Sequence, residues 1–295
     1  MMSQQLPDRL LSVFAWICAL VLTTGVCIII GFLILKGWRS LNINLIFADT
    51  RPLDAILLKR QVFGGLFPAM AGTCLLIILS VGIALPLGLC AGIFLAEYAS
   101  PKARSVFGFM VDLLAGIPSI VVGLFGFSIT IFLHHVYNSR IYPCLLISAL
   151  SLAFLVLPYI IKTTQGAIER IPLLTRLTAP GLGATKLQNV MLVLLPLALS
   201  DIISGVVLAI GRCAEDTAVI MLTGVVATAG VPKSLFASFE ALPFYIYYTA
   251  SEYTDPAELV KGYGAALILL LICSMLFVFA HLVKTLIDRR AGIMF

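Results

Sequence analysis

The chain has 295 residues, 61% of them hydrophobic and 11% charged, with a net charge of +5 and a mean hydropathy of +1.11. A water-soluble domain carries about 45–50% apolar and about 25% charged residues, so this chain could not cover its surface in water. It is equally far from the apolar-poor, charge-rich composition of disorder, which leaves an integral membrane protein.

Six continuously apolar stretches follow in order: Leu11–Leu35, Ala69–Ala96, Val106–Leu133, Ile141–Ile161, Asp201–Leu222 and Gly264–Ile287. Each suits a helix crossing the bilayer, which takes about 20 residues. Barrel strands would alternate in roughly 10-residue pieces, so the expected class is all-α with six transmembrane helices. The first stretch is longer than the apolar region of a signal peptide and no small-x-small site follows it, so it reads as a retained anchor. An N-terminal unit, 1–66, would hold this anchor and an outer loop; 67–290 would form the main membrane domain.

Charges flanking the spans set the orientation, because cationic residues near short loops favour the cytoplasm. With the N-terminus inside, the inner segments carry Arg9, Lys102, Arg104, Lys162, Arg170, Arg176, Lys186, Lys284, Arg289 and Arg290. Longer outer segments carry Lys36, Arg39, Arg51, Lys59, Arg60, Arg140, Lys233 and Lys261, together with Asp49, Asp54, Glu240, Glu252, Asp255 and Glu258. Both termini are therefore expected in the cytoplasm. Two outer connections, 36–68 and 223–263, are long, and the second carries Phe244, Tyr245, Tyr247 and Tyr248, aromatic residues suited to the membrane–water interface.

The inner connection between spans four and five, from Lys162 to Ser200, is punctuated by Pro172, Pro180, Gly181, Gly183 and Pro196. Such punctuation predicts short helices around a glycine corner. A structured cytoplasmic knob of this kind would dock another protein or form an interfacial elbow, and the two are compatible.

Within the spans, charges are costly and mark function by default. Arg212, Glu215 and Asp216 share a helix face at i, i+3 and i+4, and Arg212 lies roughly 16 Å beyond Asp201 at about 1.5 Å per residue. They either neutralise one another to hold helices together or line a polar path. A guanidinium suits oxyanions because its fork donates paired hydrogen bonds, although two carboxylates beside it oppose an anion. Asp112 reads as a snorkelling or helix-terminus charge, and Gly116, Pro118, Gly123 and Gly126 as sites of bending or close packing in span three. His134 and His135 read as a solvated outer loop, and His281 as a packed histidine. Seven scattered cysteines show no metal or disulfide spacing. No P-loop, H-E-x-x-H or G-x-S-x-G motif occurs, so energy for active transport would come from an ion gradient or another chain. No nucleic-acid partner is needed to explain the net charge.

Five stretches resemble the type 1 (MetI-like) permease subunits of ABC importers, and among them the PstA-type phosphate permeases. They are Pro68–Leu76 with Ala84–Ala99, Leu114–Gly126, Leu182–Gln188 with Leu195-Pro196, Arg212 with Asp216-Thr217-Ala218, and Ala241-Leu-Pro with Gly264–Leu267. The resemblance covers 67–290 and implies one half of a translocation pore. It assigns ATPase docking to a loop at about 163–190, through Ala179, Gly181, Leu182, Gly183, Ala184 and Thr185. It assigns the substrate path to Arg212, Glu215, Asp216 and Thr217, and pore-helix packing to Gly116, Pro118 and Ser119. It implies a bacterial or archaeal inner membrane, a second permease (PstC-type), two ATPases (PstB-type) binding ATP–Mg, and an extracytoplasmic phosphate-binding protein (PstS-type). This chain would itself carry no cofactor, metal or catalytic residue. The family's docking loop begins Glu-Ala-Ala where this chain has Leu177-Thr178-Ala179, and Glu215 adds an acid to the span-five motif. The alternatives are a permease of the same fold for another anion or solute, an ion-coupled transporter relaying protons through Glu215 or Asp216, and a membrane enzyme using Asp112 and His281.

Overall fold

The computed structural model describes residues 5–48, 50–56, 62, 64–136 and 142–290, the side chains of 5–10 and 287–290 excepted. Of the flanking charges, Asp49, Lys59, Arg60 and Arg140 and the side chains of Arg9, Arg289 and Arg290 lie outside the described residues. Thirteen α-helices occur among the described residues: α1 Gln5–Gly37, α2 Ile43–Phe47, α3 Pro52–Ile56, α4 Phe67–Ile93, α5 Pro101–Ala115, α6 Ser119–Val136, α7 Leu145–Glu169, α8 Leu173–Gly181, α9 Lys186–Asn189, α10 Leu195–Glu215, α11 Thr217–Thr223, α12 Leu242–Glu252 and α13 Pro256–Arg290. Two π turns, Phe94–Tyr98 and Val190–Leu194, extend α4 and join α9 to α10. The described residues hold one isolated bridge, Val225 to Phe239, and no strand.

Six helical runs are long and apolar enough to cross a membrane: Leu11–Ser40, Phe67–Tyr98, Ser119–Val136, Leu145–Glu169, Lys186–Glu215 and Pro256–Leu286. The number agrees with the hydropathy reading, but the extents differ: the fourth helix runs on to Glu169 through the polar stretch read as the start of the inner connection, the last begins at Pro256, and the third and fifth differ most. The stretch Val106–Leu133 is two helices, because α5 ends at Ala115 and α6 begins after Pro118. Proline has no N–H and pushes the preceding residue out of the helical region, so an unbroken apolar run here conceals a corner. The fifth span lies earlier than Asp201–Leu222. Its helical run starts at Lys186 and stops at Glu215, where Asp216 turns extended at φ −79°, ψ 104°. The apolar piece before Pro196 therefore belongs to the span and not to the loop. His134 and His135, expected in a loop, form the last turn of α6.

Helix α7 is the hub. Its buried face runs from Leu145 to Ile168 and packs against α4, α6, α10 and α11 around a core of Leu76, Leu152, Val156, Ile160, Ile220 and Phe239. Glycines allow the closest approaches: Gly88 and Gly92 of α4 lie on Ile160 and Thr164, and Gly205 of α10 lies on Thr163. With no hydrophobic drive between helices in lipid, such small-residue contacts supply dispersion instead. By contrast, the apolar stretch of α1 has no buried residue, and among described residues it rests mainly on α13, with Phe32 edge-on to Tyr263.

Candidate functional site

The first candidate site lies where α10 ends. The face of α10 toward α7 is buried through Ala198, Ile202, Gly205, Ala209 and Cys213, which places Arg212, in the last turn of α10, beside Tyr159 of α7. The guanidinium meets both neighbouring acids: Nη1 donates to Glu215 Oε1 at 2.8 Å, and Nη2 lies 3.3 Å from Asp216 Oδ2. Pairing with Asp216 is as its i+4 position predicts.

The two acids differ in environment. The Asp216 side chain is 2% exposed, and its Oδ1 accepts from Val219 N at 3.0 Å, so it also caps the N-terminus of α11. The Glu215 side chain is 64% exposed and bonds only through Arg212 Nη1 among the hydrogen bonds of the described residues. Arg212 Nε is buried and has no hydrogen-bond partner. A cavity of about 570 Å³ opens beside these groups, lined by Tyr159, Ser204, Gly211, Arg212, Glu215 and Phe277. Thus one acid balances Arg212 from inside the fold, one stands at the cavity surface, and one guanidinium nitrogen, Nε, is unspent. Thr217 opens α11 beside this group and is half-buried.

The predicted docking loop forms a compact corner. Helix α8 ends at Gly181, Leu182 is 91% exposed, and Gly183 takes φ +88°. The corner is closed by Gly183 N to Pro180 O at 3.0 Å and Ala184 N to Ala179 O at 3.0 Å. Thr185 then caps α9 in a reciprocal box with Gln188. Leu173, Leu174, Leu177 and Leu182 present an apolar exposed surface.

Gly116 caps α5, and a Cβ there would meet only carbonyls of its own helix. Pro118 and Ser119 form the corner and the start of α6. The close packing anticipated for span three lies at Gly123 and Gly126, against α11 and Ser151 of α7. Asp112 does not stand alone: Lys162 Nζ lies 2.8 Å from it. Sequence reasoning gave no role to Tyr159, Ser204 or Phe277, or to the Glu97–Arg176 ion pair. Polar residues 79 positions apart carry no periodicity that would join them.

On the opposite face, Glu240 is buried, and its Oε1 accepts from Ala229 N at 2.8 Å and Gly230 N at 2.7 Å. Burial pushes its carboxyl above the ordinary value, and the two backbone donors pull it partly back. No group of three or more metal-ligating side chains occurs among the described residues.

Residues 88–293 match the family of binding-protein-dependent transport system inner membrane components. The chain is 31% identical to the phosphate transport system permease protein PstA 1 of Mycobacterium tuberculosis, over 79% of this chain and 75% of that protein. It is 29% identical to the PstA protein of Haemophilus influenzae, over 92% of each. Among solved structures, it resembles a chain of the inward-facing MetNI methionine ABC transporter (TM-score 0.56, 19% identity, 82% of this chain and 99% of that one). It also resembles a chain of a bacterial alginate ABC transporter (TM-score 0.62, 16% identity, 94% and 92%). At these identities the structural likeness speaks for the fold.

Proposed function

We propose that this chain, which belongs to the family of binding-protein-dependent transport system inner membrane components, is a permease subunit of an ATP-driven phosphate importer. The chain forms half of the pore and a second permease forms the rest. ATP and Mg are handled by two cytoplasmic ATPases seated on the 163–190 loop, and an extracytoplasmic binding protein delivers phosphate. Both termini face the cytoplasm. The exposed leucines of α8 and the Gly183 corner support the docking role.

One observation carries the substrate reading: Arg212 sits beside a cavity at the end of α10, with a buried Nε that has no partner. A phosphate oxygen satisfies that donor once the side chain turns it toward the cavity. When Glu215 swings into the cavity, Nη1 is released, and Nε with Nη1 can each donate to the passing oxyanion. Asp216 stays fixed by its cap, so the guanidinium is not left uncompensated once the anion has gone. ATP-driven movement of the docking loop turns the helices about this point and exposes it alternately to the two sides.

The test is uptake of labelled inorganic phosphate into liposomes holding the complete complex. Uptake should need ATP, the ATPase and the binding protein, and Arg212→Gln should abolish it while the complex still assembles. Phosphate uptake without any ATPase would identify an ion-coupled transporter instead. Sulfate uptake in place of phosphate would keep the transporter class and overturn the substrate.

A further inference from the structure

The second span ends in the π turn Phe94–Tyr98, and the carbonyls that this wide turn leaves open are met by side chains from elsewhere. Arg104 Nε donates to Leu95 O at 2.8 Å, and its Nη2 to Ala96 O at 2.7 Å. Arg176 Nη2 reaches Ala96 O at 3.4 Å, and Arg176 Nε donates to Glu97 Oε1 at 3.0 Å. Lys186 Nζ stands 5.7 Å from the centre of the Tyr98 ring. Arg176 belongs to α8 and Lys186 to α9, so both short helices of the docking loop hold one five-residue turn at the end of α4. Asn189 Nδ2 donates to Arg176 O at 3.0 Å and ties the two pieces together. The second π turn meets the first here, since Val190 and Leu194 share a buried cluster with Ala96 and with Ala167 and Ile168 of α7.

This junction differs from ordinary surface pairing. The Arg176 and Glu97 side chains are 21% and 14% exposed, whereas every other ion pair among the described residues has a member at least 30% exposed. Helix α8 has no buried residue of its own, so its hold on the membrane helices depends on these polar contacts. Helix α4 is packed through Gly88 and Gly92 onto α7, and close-packed helices transmit displacement with little compression. π turns are local departures from regular helix that recur at functional positions.

Resting on the importer reading above, we propose that the Arg176–Glu97 pair is the joint through which the docking loop moves α4, and that both residues position the span for ATP-coupled transport. Glu97 accepts both Arg176 donors on one oxygen, Oε1, so a pull on α8 is borne by the end of α4 and not by the loop backbone.

The decisive measurement is phosphate taken up per ATP hydrolysed by the complete complex in liposomes. Arg176→Gln and Glu97→Gln should each retain the bound ATPase and its hydrolysis, yet take up at least about tenfold less inorganic phosphate per ATP, because each leaves a shielded charge without its partner. The double variant should be no worse than either single one, as for two residues acting as a unit. Arg176→Lys, which keeps the charge and loses the fork, should fall between. Unchanged uptake per ATP in both single variants overturns the inference. So does a fall in uptake that merely follows a loss of bound ATPase, since the pair would then be a brace and not a joint. A native complex that takes up no phosphate with ATP removes the importer reading itself, and the inference with it.

Discussion

Gly205 of α10 lies so close to Thr163 of α7 that a Cβ added at Gly205 would overlap the threonine hydroxyl and its Cβ. Thr163 cannot easily yield, because its Oγ1 is already donated to Tyr159 O at 2.8 Å, with Ile160 O at 3.1 Å. This crossing fixes the height of Arg212 against Tyr159. Gly205→Ala should therefore destabilise the solubilised complex by about 1–3 kcal/mol, the usual cost of overpacking. Thr163→Gly should return part of that loss in a thermal melt, while Thr163→Ala, which keeps the obstructing Cβ, should return less.

Asp216 does two jobs that substitutions can separate. Asp216→Ala removes both the α11 cap and a partner of Arg212, and lost caps alone cost about 0.5–2 kcal/mol. Asp216→Asn keeps an acceptor for Val219 N and removes only the charge, so it should melt closer to the native protein. Glu215→Gln should shift the melt least, since exposed ion pairs contribute about 0–1 kcal/mol. A Glu215 variant less stable than Asp216→Ala would reverse the roles assigned to the two acids.

The six spans and the Arg212–Asp216 pairing were legible in the sequence because both are local: an apolar run and an i+4 spacing. The corner at Gly116–Pro118 was hidden by hydropathy, which averages over the proline that breaks the helix. The end of the fifth span was hidden differently. Asp216 reads as one more helical acid until its carboxylate is seen capping Val219 N. Lys186–Leu195 reads as loop because its polar start masks a π turn that runs directly into α10. Glu97–Arg176, Lys162–Asp112 and Glu240 with the Ala229–Gly230 backbone depend on how separate elements pack, which no spacing along the chain encodes.

Glu240 predicts a pH response in the connection between α11 and α12. Its folded-state carboxyl titrates above the ordinary 4.5 because burial disfavours the charged form. Between the unfolded and folded values the folded state binds more proton, so stability falls as pH rises through that window. Tyr245, Glu252, Glu258 and Lys261 line the same cavity, so the comparison needs Glu240→Gln, which removes this titration alone. The melting temperature should decline from mildly acidic toward neutral pH in the native chain. In Glu240→Gln it should stay flat across the same range.

Two neighbouring glycines in the docking corner should respond in opposite ways. Gly183 has open space around its Cα, but its φ of +88° is a conformation that side chains resist. Gly181 also has open space, and it ends a helix without positive φ. Gly183→Ala should thus strain the corner by about 1–2 kcal/mol, which is a factor of about 5–30 in an equilibrium. Gly181→Ala should be neutral or slightly stabilising, because alanine is the better helix former. Affinity of the purified permease pair for its ATPase, measured by titration, should fall by that factor for the first variant and hold for the second. If both variants bind alike, the left-handed corner is not what presents Leu182 and the α8 leucines to the partner.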